Sequence, residues 1–257
     1  MKEIWMCGGG TQSVAIGVLI SQGKLPKPDV SLIADTEFEK QSTWDYFYNI
    51  LSPFMLKCGV EIHVVKRSEW ANPWCQNGSP EVFSSSDHLL IPAFSDINCK
   101  PSKLKTYCSK GWKVEACERF LSQKFGITKS KSRKWIGFSY DEHRRWMKML
   151  DNPNIRLPLV DLRMIRMQCV QLVKESGMPT PPRSACWMCP NQSDYEWREM
   201  IKNRPEEFAK ACDFDDSIRH TDPNAWVHKS CIPLRSVDFK QDEDLFSSYC
   251  ESGVCFL

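Results

Sequence analysis

The stretch "MCGGGTQS", Met6–Ser13, comes directly after the short apolar run Ile4-Trp5. Three consecutive glycines carry a large backbone entropy cost on folding, so a plain turn would not favour them. A strand that ends in glycines and feeds a helix aims several N–H groups and the positive end of the helix dipole at one point, which makes an anion site with phosphate as its natural occupant. Three phosphate loops fit such a turn to different degrees. A Walker loop requires Gly-Lys followed by Ser or Thr, and no such triplet occurs. A dinucleotide fingerprint would use Gly8, Gly10 and Ser13, with Asp35 placed to reach a ribose hydroxyl. A pyrophosphate-gripping loop would use the glycines together with the Ser13 hydroxyl. The last two readings stay open at this point.

Outward from the turn, apolar bursts alternate with helical patterns, the order that builds a parallel sheet. Ile4–Cys7 reads as the first strand, Ser13–Ser21 as a helix with Gly23 just past its end, and Asp29–Ala34 ("DVSLIA") as the second strand. "STWDYFYNILSPFMLKCG" reads as a helical connection interrupted by Pro53, and "VEIHVV" as the third strand. From 68 to 111 the pattern dissolves into Ser, Pro, Asn and aromatic residues, long for a passive loop and suited to a lid or substrate-gripping insertion. "KVEACERFLSQKFG" restores a helix, and "KWIGFS" supplies a further strand ending at Ser139. The expected fold class is therefore α/β, a three-layer sandwich with a mainly parallel sheet over residues 1–175, followed by a small cysteine-bearing C-terminal lobe over 176–257.

The 257 residues suffice for one α/β domain plus a small lobe. With 34 Lys and Arg against 32 Asp and Glu, the formal charge of +2 announces neither a nucleic acid nor an anionic membrane, although a local basic patch can still meet a nucleic acid. No apolar run reaches the roughly 18 to 20 residues of a membrane span, and the first residues lack a secretory-signal pattern. A cytoplasmic protein without a membrane partner is the expectation, its oligomeric state open, a homo-oligomer included. Thirteen cysteines in such a setting point to thiols and metal ligands rather than to a disulfide scaffold.

Two further motifs fall at strand ends, where open parallel sheets bind their ligands. "IADTEFE" places Asp35, Thr36 and Glu37 after the second strand, and "IGFSYDEHRR" places Ser139, Asp141, Glu142 and Arg145 after the fourth. By themselves Asp141, Glu142 and Arg145 also suit an ordinary helix start. Together with "GGGTQS" and the downstream "SACWMCP" (184–190), they resemble the PP-loop superfamily of ATP pyrophosphatases, most nearly its phosphoadenosine phosphosulfate (PAPS) reductase-like branch. The chain carries Thr11 and Gln12 where ATP-using members usually have Lys and Asp, and Glu37 follows Thr36 where a glycine would often intervene. The resemblance implies an adenine nucleotide, ATP or a PAPS-like sulfonucleotide, held at Gly8, Gly9, Gly10, Thr11, Gln12, Ser13, Thr36, Ser139, Asp141 and Glu142. It implies that Asp35 lies by the adenosine or holds Mg²⁺, and that Arg145 clamps a phosphate or sulfate. Two chemistries follow from it: adenylyl transfer with release of pyrophosphate to an acceptor substrate, or thiol-dependent reduction of a sulfonucleotide through Cys255.

Cys186-x-x-Cys189 can chelate one centre, and thiolates select zinc or iron–sulfur over Mg²⁺. The resemblance implies a [4Fe-4S] cluster held by Cys108, Cys186, Cys189 and one tail cysteine, Cys250 or Cys255; a zinc site from Cys186, Cys189, Cys250 and Cys255 is the structural alternative. Cys7, Cys58, Cys117 and Cys169 sit in apolar patterns as small buried hydrophobes. The five histidines show no ligand spacing, Trp70, Trp74 and Trp112 serve packing or base stacking, and the lysines between 100 and 113 form a solvated face or meet phosphates. A zinc-containing nucleic-acid-binding protein without turnover, and an NAD-dependent Rossmann enzyme, are the readings from other classes.

Overall fold

A computed structural model describes residues 1–71, 93–96, 101–104, 108–220 and 222–239. Among them the strands are β1 (Lys2–Cys7), β2 (Val30–Asp35), β3 (Ile62–Lys66), β4 (Phe94–Ser95), β5 (Ser102–Lys103), β6 (Ser132–Trp135), β7 (Ile155–Arg156) and β8 (Ala225–Trp226). The chain divides into two compact units: Met1–Trp70 with Ala116–Ser184, and Ala71–Glu115 with Ala185–Leu257.

The first unit is an α/β fold around a five-stranded, all-parallel sheet in the order β3-β2-β1-β6-β7. β1 lies at its centre, and Ile4 and Trp5, pointing to opposite faces, are both fully buried, as a parallel sheet covered on both sides requires. On one face Trp5, Cys7 and Ile33 join the core with Val14, Ala15, Ile16 and Val18 of the Thr11–Ser21 helix and with Cys169, Leu172 and Val173 of the Arg166–Glu175 helix. The Thr11–Ser21 helix is apolar nearly all round, the mark of a helix that is itself interior. Gly17 lets it press inward: a Cβ there would stand 3.0 Å from Met55 Sδ and 3.1 Å from the Trp5 ring. On the other face His63, in register with Leu32, meets the rings of Phe120 and Phe125 at 6.0 and 5.4 Å, so the Glu115–Phe125 helix forms the third layer.

Three local features differ from the sequence reading. The fourth strand is β6, which stops at Trp135; the Ile136 N–H still reaches the Arg156 carbonyl at 3.0 Å, and the chain then leaves the sheet as Gly137 passes over the start of the Thr11–Ser21 helix. A short fifth strand, β7, accepts the outer edge of β6. Pro53 does not interrupt the connection between β2 and β3: Gln41–Tyr46, a π-helical turn Phe47–Leu51 and Ser52–Lys57 run on, with Pro53 in a first turn, where its missing N–H costs least.

The second unit is organised differently. Its small sheet, β5-β4-β8, is antiparallel, and the helices Asp194–Asn203 and Pro205–Ile218 meet at Arg204. The carboxylate of Asp215 is wholly buried. It accepts the Val227 N–H at 2.8 Å, the Leu234 N–H at 2.9 Å and Arg219 Nη1 at 2.8 Å, so one side chain ties a helix to two loop segments. β4, from the insertion, pairs with β8 near the C-terminal end, while residues up to Ser184 stay with the first unit, where Tyr46 Oη donates to the Pro179 carbonyl at 2.8 Å. Among the described residues no helix is long and apolar enough to cross a membrane.

Candidate functional site

In the sheet of the first unit the chain moves outward from β1 to β2 and β3 on one side and to β6 and β7 on the other, so the strand order reverses between β1 and β6. The crevice beyond the carboxyl ends at such a reversal is where open α/β sheets take ligands. The glycine turn leaves β1 on one side of it, and residues 136–142 leave β6 on the other.

The turn is shaped by its glycines at one point in particular. Gly9 has φ +71°, and a Cβ there would meet Thr43 Cγ2 at 3.2 Å. Gly10 is the extended residue before the Thr11–Ser21 helix, and the Gly8 N–H donates to Ser13 Oγ at 2.8 Å, closing the turn on the hydroxyl. Ser13 and Thr11 are both buried. Across the crevice Gly137 comes so near that a Cβ would stand 3.2 Å from the Ser13 nitrogen and 3.3 Å from its Oγ. The glycine in "IGFS" is thus a close-approach residue, a role its local sequence does not mark.

A polar network joins the two sides. Glu142 Oε2 accepts Ser139 N–H and Ser139 Oγ–H, both at 3.0 Å, and Gln12 Nε2–H at 3.2 Å, while Oε1 is held by Arg145 Nη1. The Arg145 guanidinium also lies 4.2 Å above the Phe138 ring. Gln12, Ser139, Glu142 and Arg145 are therefore brought together as expected, but Arg145 spends its charge on Glu142. Asp141 does not face them: its Oδ1 accepts the backbone N–H of Arg166 at 3.1 Å. Arg166, which sequence reasoning missed, directs Nη1 to Gln12 Oε1 at 3.5 Å. Nothing in the local sequence marks it, since it lies 154 residues from its partner.

Asp35 ends β2 at the same edge of the sheet. Its carboxylate accepts the Glu37 N–H at 2.7 Å, and burial, reinforced by the nearby Glu37 and Glu39 charges, holds its pKa above the usual carboxylate range. Thr36 is fully buried and accepts the Phe38 N–H at 3.3 Å. Glu37 adopts φ +64°, a conformation natural to glycine and costly to other residues. Its carboxylate offsets that by taking Ser68 N–H at 2.9 Å and Ser68 Oγ–H at 2.7 Å, with Arg67 Nε 3.5 Å away. Glu37 is thereby committed to the β3 end rather than to a ligand.

The cysteines divide by setting. Cys7, Cys117 and Cys169 are buried, as expected, while Cys58 is only half-buried, its Sγ 3.3 Å from the Phe54 carbonyl oxygen. Burial pushes the thiols of Cys7 and Cys169 up to about 12, which removes them as nucleophiles near neutrality. In the second unit Cys186 and Cys189 form one tight turn, closed by Cys189 N–H to the Cys186 carbonyl at 3.1 Å, and both are half-buried, as is Cys108. Among the described residues no group of three or more His, Cys, Asp or Glu is arranged to hold a metal ion. Cys250, Cys255, Trp74 and His88 lie outside the described residues. Trp112 is buried in packing and Trp70 stands edge-on to Phe120 at 5.0 Å. Of the lysine stretch, Lys103 bonds Asn191 and Lys110 pairs with Glu115 at 3.8 Å.

No protein-family model matches this chain, and no curated protein matches it. Among solved structures it is similar to the U34-tRNA thiolase NcsA from Methanococcus maripaludis with its [4Fe-4S] cluster, at 12% sequence identity and a TM-score of 0.44, over 92% of this chain and 74% of that one.

Proposed function

We propose that this chain is a PP-loop-type enzyme that binds an adenine nucleotide by its charged tail at the β1/β6 crevice and activates an acceptor by adenylyl transfer. The observation that carries the reading is the convergence, at the reversal of strand order, of the glycine turn and Ser13 with Gly137, and their linkage through Gln12, Glu142 and Ser139. Phosphate oxygens would take the amides of the turn and the first helical N–H groups, which have no carbonyl partner within the helix. An acceptor oxygen would attack the α-phosphorus, the bond from that phosphorus to the bridging oxygen would break, and pyrophosphate would leave with the electron pair. Positioning and charge stabilisation are the protein's share of such a reaction. Asp35 suits a Mg²⁺ carried in on the phosphates, since that ion needs only one or two carboxylates from the protein. Glu142 would keep Arg145 and Gln12 facing the crevice.

A resident iron–sulfur or zinc centre is a separate matter. The described residues supply two thiols in one turn, Cys186 and Cys189, which suits half of a tetrahedral thiolate set.

Calorimetric titration of the full chain with ATP, PAPS and NAD⁺, followed by a pyrophosphate-release assay with ATP and candidate acceptors, tests the reading. Heat with ATP and pyrophosphate release are expected. Heat with NAD⁺ alone would redirect the assignment to a dehydrogenase, and silence with every adenylate would end it.

A further inference from the structure

We infer that Arg166 is the cation that grips the outer phosphates of the nucleotide and so makes this site selective for a polyphosphate tail; the inference rests on the nucleotide reading above. The glycine turn and the residues up to Ser13 include no cationic side chain. Arg145, the cation expected from the sequence, is held by Glu142 and by the Phe138 ring. Arg166 is different. Among the described residues its guanidinium enters no ion pair, and its one hydrogen bond is to the neutral Gln12 amide at 3.5 Å, the long limit for such a bond. The neighbouring Asp141 carboxylate is taken up by the backbone N–H of Arg166 itself.

Its placement also suits an anionic ligand. Arg166 is the first residue of the Arg166–Glu175 helix, where the dipole favours negative charge, and it reaches toward Gln12, the second residue of the Thr11–Ser21 helix, where the same holds. Two helix N-termini and a half-buried guanidinium thus meet at Gln12; the Glu142 carboxylate bonds the Gln12 amide and the Asp141 carboxylate the Arg166 backbone N–H, and neither takes the guanidinium itself. A group bearing two or more negative charges there would accept from the guanidinium fork. With the tail held at the glycine turn as proposed above, Arg166 beside Gln12 would meet its outer end, which a triphosphate possesses and a monophosphate lacks.

The test compares ATP and AMP binding by calorimetry at one fixed salt concentration for the full-length wild type, Arg166→Gln and Arg166→Lys, with far-UV circular dichroism as the check on folding. Arg166→Gln is expected to weaken ATP by about tenfold or more, the range for a lost charged hydrogen bond, and AMP by less than about threefold. Arg166→Lys, which keeps the charge but not the fork, is expected to fall between. Equal losses for ATP and AMP, or no loss for either, overturn the assignment of Arg166 while leaving the nucleotide site standing. A wild type that binds neither removes the nucleotide reading and this inference together.

Discussion

The two units reach order by opposite means. In the first, repeated main-chain ladders of a parallel sheet fix the register, and apolar side chains such as Ile4, Trp5, Val14 and Leu32 fill the layers on either side. In the second, the strands are only two residues long, and single buried carboxylates do the joining: Asp215 binds two loop amides and Arg219, and Asp194 accepts from His228 Nε2 at 3.1 Å. The His228 ring must carry its proton on Nε2, because Nδ1 accepts the Ser230 N–H at 3.2 Å. A ladder distributes its energy over many equivalent bonds, whereas a buried carboxylate concentrates it in one residue. Damage to the first unit should therefore be graded, and damage to the second abrupt.

The sharpest way to break that contrast is Asp215→Ala. Removing one partner of a buried charged network is expected to cost about 3–5 kcal/mol. Hydrogen exchange should show the Val227 and Leu234 amides losing protection first; unchanged protection there would deny that the carboxylate holds the second unit together. Gly9→Ala probes the first unit at its site. A side chain at φ +71° is expected to cost about 1–2 kcal/mol, read from denaturant midpoints, and to weaken nucleotide binding further through the contact with Thr43.

The smallest effect has the opposite sign. Asp35 has its pKa raised chiefly by burial, so the folded state holds its proton more tightly than the unfolded chain does. Stability from this group is complete below the ordinary carboxylate range and is lost as pH rises through the raised value. Asp35→Asn should accordingly raise the thermal midpoint at pH 7 but not at pH 3, while abolishing pyrophosphate release. A midpoint that falls at pH 7 would show that the carboxylate serves folding rather than a ligand.

These differences also explain what could be read in advance. The strands of the first unit announce themselves by apolar runs, and the glycine turn by a composition that only a special backbone needs. Ser139, Glu142 and Arg145 were accessible through the resemblance of "GFSYDEHRR" to a known pattern. Arg166 and the close approach of Gly137 were not, because both depend on how distant segments cross, and neither leaves a periodic trace. The end of the fourth strand is hidden for the same reason: Ile136–Ser139 continues the apolar run, but only Ile136 still bonds to the sheet before the chain turns to cross a helix. In the second unit, no local pattern separates Asp215 from the adjoining Asp213 and Asp216, although Asp215 alone is buried without exposure.

Gly17 lies about one and two-thirds turns along the Thr11–Ser21 helix from its first residue, roughly 9 Å at the usual rise. Because the absence of a side chain there sets how deeply the helix beds down on Trp5 and Met55, it also sets the height at which Thr11, Gln12 and Ser13 stand over the strand ends. The interior thus works as a lever: a single methyl group at Gly17, far beneath the surface, would press on Met55 Sδ and the Trp5 ring, and whatever those side chains do not absorb would be passed along the rod to the residues of its first turn.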